Sequence, residues 1–129
     1  MSYLYGSEWV TVEELVGKTI VSVENRDNYE LHFQTDNGEK YVMFHEQDCC
    51  ESVSIEDING DLDDLIGTPI LMAEEVMQEG EESEWGESST WTFYKIATIK
   101  GTVVIRWLGE SNGYYSESVD FVKLREAAE

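Results

Sequence analysis

Positive charge is scarce in this chain of 129 residues: eight Lys and Arg stand against twenty-eight Asp and Glu, a formal net charge of −20. Such a field repels nucleic acid and anionic membranes and draws basic partners. Cysteine is equally sparse, with two residues, both in one segment. That is too few for the disulfide framework of a small secreted domain. No apolar run approaches the roughly 18 residues of a membrane span. The opening MSYLYGSEWV has neither the basic region nor the apolar run of a signal peptide, so a reducing intracellular setting is expected. No Gly-rich phosphate loop accompanies the many carboxylates, and no nucleophile is paired with a base in favourable surroundings, which leaves little footing for catalysis.

What is present describes a packed domain. Apolar residues make up 41% and aromatics 12%, enough to separate the chain from disordered acidic tails. There is no linker and no internal repeat, so residues 1–129 read as one domain. TVEELVG at 11–17 carries a capping box, Thr11 with Glu14 three residues on, and predicts a short helix closed by Gly17. DLDDLIG at 61–67 predicts a second. KTIVSVEN, YELHFQ, KYVMFH, SVSIEDI, PILMAEEVMQ, TWTFYKIATI, TVVIRWL and YYSESVDFVKL are strand candidates, SVSIEDI also being compatible with a turn of helix. Residues 79–89 form a Glu-rich mobile loop in this reading, and 124–129 a frayed tail. The sum is an α+β domain on a mainly antiparallel sheet with a few short helices.

The chemistry concentrates in FHEQDCCE at 44–51. Adjacent cysteines argue against a disulfide, since consecutive Cα atoms lie about 3.8 Å apart and a relaxed bridge needs roughly 4.4–6.8 Å. His45, Cys49 and Cys50 are the donor types of a tetrahedral zinc site. A fourth ligand follows from the hairpin around Asn37-Gly38. Taken as a two-residue loop, that turn sets Phe33 opposite Val42 and Leu31 opposite Phe44. It then leaves His32 and His45 as diagonal neighbours on the other face, about 7–8 Å apart. The expected cofactor is therefore one structural zinc on His45, Cys49, Cys50 and His32, with Glu46, Asp48 or Glu51 as oxygen substitutes for His32. A thiol nucleophile on Cys49 or Cys50 is disfavoured because Glu46, Asp48 and Glu51 surround it with negative charge. DINGDLDD at 57–64 begins like a calcium loop but lacks the required Gly and bidentate Glu, with Leu62 and Thr68 in their places.

The acids cluster at Asp61, Asp63 and Asp64 and at Glu79, Glu81 and Glu82, with Trp85 and Tyr114 as aromatic anchors beside them. Aromatics inside an acidic rim suit an interface onto a basic protein. Twenty charges match roughly 34 Å of duplex DNA, about one helical turn. FHEQDCCESVSIEDINGDLDDLIG, WTFYK and IRWLGESNGYYSESVDF resemble a family of small uncharacterised proteins of phages and prophages, over about residues 18–121. The resemblance implies no activity for most members. Some proteins of this kind are similar to anti-CRISPR proteins acting on the type II RNA-guided nuclease. That likeness implies a monomeric, non-enzymatic inhibitor in the bacterial cytoplasm. Such an inhibitor binds the basic nuclease stoichiometrically and blocks target-DNA loading through its acidic surface. A zinc- or thiol-dependent enzyme on a small molecule, and an acidic accessory module with another partner, are the competing readings.

Overall fold

The computed structural model describes residues 7–46, 50–80, 88–112 and 116–124. Nine strands run through them: β1 Ser7–Trp9, β2 Ile20–Arg26, β3 Glu30–Thr35, β4 Lys40–Phe44, β5 Ser52–Asn59, β6 Met72–Glu79, β7 Ser88–Thr98, β8 Gly101–Ser111 and β9 Asp120–Leu124. They form two antiparallel sheets, ordered β1-β9-β4-β3-β2 and β5-β8-β7-β6. The inward side chains of both sheets share one apolar cluster, including Leu31, Phe33, Tyr41 and Met43 of the first and Tyr94, Ile96, Ile105 and Trp107 of the second. Two layers thus enclose one core. The Trp107 Nε1–H donates to Met43 Sδ across it at 3.2 Å, and Tyr41 stacks on Phe121 with centroids 5.5 Å apart.

The α+β expectation is corrected to an all-β fold. Both predicted helices shrink to single 3-10 turns, Val12–Leu15 and Leu62–Leu65. The capping box at 11–17 does not form: Thr11 makes no side-chain cap, and the Glu14 carboxylate instead accepts from the Tyr41 hydroxyl at 2.9 Å. In the second turn Asp61 does cap Asp63 N–H. There the chain is then drawn off by tertiary pairing, because Ile66 bridges Ile20 and Gly67 N–H donates to Ile20 O. One turn of helix has little stability of its own to set against such pairing.

The hairpin register is also corrected. The β3–β4 connection is a three-residue loop with Gly38 at φ +87°, and Thr35 N–H donates to Glu39 O. Asn37 Oδ1 accepts from Thr35 Oγ1 and from Glu39 N–H, fixing the wider loop. A positive φ at the last loop residue is the geometry of a turn with a bulge, whereas a two-residue turn needs two such residues. Every pair therefore slips by one: Phe33 lies opposite Tyr41, Leu31 opposite Met43 and His32 opposite Val42. The apolar pattern of β4 could not choose between registers, because both its faces are covered. Tyr41 and Met43 enter the main core, while Val42 and Phe44 join Val122 in a second, smaller cluster on the other side.

The Glu-rich segment 79–89 is partly absorbed into structure. Glu79 pairs with Thr90 at the end of β6, and Gly80 N–H donates to Ser89 O. Its middle, 81–87, and the tail after Leu124 lie outside the described residues.

Candidate functional site

The segment singled out in the sequence leaves β4 at His45 and re-enters the fold at Glu51. The His45 ring is held from both sides, Nδ1 at 2.7 Å from Ser118 O and Nε2 at 2.6 Å from Glu51 Oε2. A carbonyl oxygen only accepts, so Nδ1 carries a proton and donates to Ser118. The side chains of His45 and Glu51 are 4% and 0% exposed. Next to them, Asp120 Oδ2 accepts from Glu46 N–H at 2.9 Å. Burial pushes the Asp120 carboxyl above its ordinary range, against the opposing pull of the Glu46 N–H and the His45 ring.

This geometry makes the imidazole a clamp. Both ring nitrogens are engaged and almost no ring surface meets solvent, so the ring offers neither a free lone pair to a metal nor an accessible base to a substrate. His32 is elsewhere: it faces Val42 in the ladder, with Nε2 at 2.8 Å from Glu30 Oε1. The register slip has removed the diagonal pairing that made it a shared ligand. Cys50 is exposed and disulfide-bonded, which corrects the expectation of a free thiol; an oxidised sulfur is no thiolate donor. Cys49 and Asp48 lie outside the described residues. Among the described residues no group of three His, Cys, Asp or Glu is placed to hold a metal ion.

Next to Ser118 in the chain, a second carboxylate is held by hydroxyls. Glu117 accepts from Ser88, Ser111 and Thr90, the last at 2.8 Å. Burial pushes its pKa up, but the three hydroxyls outweigh that and hold it below the ordinary value. Neither Ser118 nor Glu117 could have been tied to this region from sequence. The contact from His45 to Ser118 spans 73 positions, and no local motif marks its far end.

Among the described residues the predicted acids stand at opposite ends of the second sheet, Asp61, Asp63 and Asp64 at one and Glu79 at the other. Asp61 and Asp63 are exposed and Asp64 half-buried, at the end where Thr98 pairs with Gly101 and the Thr98 hydroxyl donates to Asp64 O. Glu79 is exposed at the other end, opposite Thr90. From Thr90 to Thr98 along β7 is eight residues, or about 26 Å at the rise of a strand. Between the clusters runs β6, at the edge of its sheet, where residues 74–79 are all exposed and Val76 and Met77 are each 52% accessible. Exposed acids along an edge strand, here Glu74, Glu75 and Glu79, blunt its tendency to pair with foreign strands. Glu81, Glu82, Trp85 and Tyr114 lie outside the described residues. Of the other aromatics, Tyr94 and Trp107 are core residues, and Trp91 is half-buried.

No helix among the described residues is long and apolar enough to cross a membrane. No curated protein and no solved structure matches the chain. A family model for a domain of unknown function, DUF7448, matches residues 13–121, which takes in every strand from β2 to β8, the clamp and the acidic turn. The chain therefore belongs to the DUF7448 family.

Proposed function

We propose that the protein works by binding: an acidic β-scaffold that docks on a basic, nucleic-acid-handling protein and inhibits it stoichiometrically. What carries this reading is the placement of the acids. Among the described residues Asp61 and Asp63 stand at one end of β7 and Glu79 at the other, about 26 Å apart at the rise of a strand, a span that fits within one DNA helical turn of roughly 34 Å. Local fixing supports it, since the Asp61 carboxylate accepts from Asp63 N–H and the Asp64 backbone carbonyl, in the same turn, accepts from the Thr98 hydroxyl. Fixed carboxylates lose less entropy on docking than mobile ones. The finer form of the proposal is a phage-encoded anti-CRISPR protein of the bacterial cytoplasm. Its partner is a type II RNA-guided nuclease, whose basic channels hold duplexes largely through backbone contacts.

Titration of target-DNA cleavage tests it. With purified nuclease, guide and target, inhibition should saturate near one protein per nuclease and vanish when DNA is loaded first. Substoichiometric inactivation would point to an enzyme instead. Normal cleavage at a large excess of the protein would refute the nuclease as partner.

A further inference from the structure

The outward face of the second sheet carries a guanidinium without a carboxylate. Arg106 lies on β8 with Phe93 of β7 opposite it on one side and Asp57 of β5 on the other. Asp57 would be its natural ion-pair partner, yet no ion pair joins them among the described residues. The guanidinium leans instead over the Trp91 ring, 5.2 Å from its centroid. Its Nε is buried and has no hydrogen-bond partner. Four other bases are engaged: Lys18 and Lys123 both hold Glu39, Arg26 holds Glu24, and Lys100 donates to Ile66 O.

Arg106, Trp91 and Phe93 line a groove of about 390 Å³ together with Gln78, Glu79 and Gly80. That volume falls in the range of small-molecule clefts, roughly 300–1,000 Å³. We infer that this groove is a binding subsite for a small aromatic monocarboxylate. A planar carboxylate matches the guanidinium fork with two parallel hydrogen bonds, and the rings of Trp91 and Phe93 offer flat apolar surface for the rest of the ligand. Charge decides against phosphates. In a field of −20 each added negative charge on the ligand is opposed, so a single charge on a flat body suits the site and a dianion does not. The inference rests on Arg106 and the two rings, and it shares with the docking proposal one residue, Glu79, which lines the groove.

The test is a titration of ¹⁵N-labelled protein with sodium phenylacetate at fixed pH and ionic strength, followed by two-dimensional NMR. Phenylacetamide serves as the neutral isostere and phenyl phosphate as the dianion. Phenylacetate should give saturable shifts at the Trp91 indole N–H and the Arg106 Nε–H. Its half-saturation should be about tenfold or more below that of phenylacetamide, as a charge-assisted hydrogen bond implies. R106M should abolish the difference between the two ligands. R106K, which keeps the charge and loses the fork, should weaken phenylacetate several-fold and serves if R106M does not fold. Equal shifts from acid and amide, unaltered binding by both variants, or no saturable shift with any ligand would overturn the inference. Tighter binding of phenyl phosphate than of phenylacetate would overturn it as well.

Discussion

The buried His45–Glu51 pair should be among the most sensitive points of the fold. In Glu51→Ala the carboxylate is lost from a site with no access to water, and the Nε2 side of the ring is left without a partner. Breaking one side of a buried hydrogen-bonded pair costs about 3–5 kcal/mol. Domains of this kind have a total stability of about 5–15 kcal/mol, so the variant should lose about a fifth or more of it. A loss of that size corresponds to a melting temperature lower by roughly 10–20 °C. Glu51→Gln is the informative comparison. Its amide can donate to Nε2 while Nδ1–H still donates to Ser118 O, so a neutral hydrogen bond survives and the cost should be about 1–2 kcal/mol. Urea unfolding of the three proteins, with equal slopes, measures both differences. Because Glu51 directly follows the disulfide-bonded Cys50, the Ala variant should also be reduced faster by a small thiol under native conditions. A loss below about 1 kcal/mol in Glu51→Ala, or equal losses in both variants, would refute the clamp.

Other perturbations follow from the same coordinates. Glu39, held by Lys123 and Lys18, has its pKa lowered to about 2 from 4.5. The stability it supplies is therefore fully present above its unfolded value and lost as pH falls through about 2. The stability difference between wild type and Glu39→Gln, measured by urea unfolding across this range, should be flat above pH 5 or so and shrink toward zero near pH 2; a difference that persists there would refute the pairing. Gly60→Ala should cost more than Gly17→Ala. A Cβ at Gly17 meets open space and is opposed only by its positive φ, worth about 1–2 kcal/mol, whereas a Cβ at Gly60 would also sit 2.8 Å from Thr102 O. Thermal melts would rank them, and equal losses would contradict the close approach. Reversing Asp61, Asp63 and Asp64 together should slow association with the nuclease severalfold and flatten its salt dependence. Unchanged kinetics in a stopped-flow or surface-binding assay would remove that cluster from the interface.

Local chemistry was the legible part of this sequence. Runs such as TVVIRWL and TWTFYKIATI became β8 and β7 because β-branched and aromatic residues at alternate positions suit a half-buried sheet. The cap at Asp61 was readable, since an Asx side chain answering a nearby N–H is a local event. What failed was every inference that needed a distant partner. Glu14 reads as half of a capping box until Tyr41 arrives to claim its carboxylate. The β4 register depended on Val122, which gives Val42 somewhere to go on the far side of the strand. The partners of His45 were out of reach of any local motif, one being a backbone carbonyl that any residue at 118 would supply.

The order of the first sheet has a consequence for how the chain must fold. β9 lies between β1 and β4, so Ser7 pairs with Leu124 and Phe44 with Asp120. The second sheet differs: β7 and β8 are neighbours joined by a two-residue turn, and they can form early as a local hairpin. The first sheet must wait. On the ribosome, residue 124 has to emerge before β1 has a partner and before Val122 covers Val42. Until then the β4 edge is open and its second apolar face is bare, for several seconds at ordinary elongation rates of about 5–20 residues per second. Closure by such long-range contacts is slow in general. The moment of greatest exposure to aggregation thus falls just before β9 emerges, and a chain cut anywhere before β9 would carry that open edge permanently.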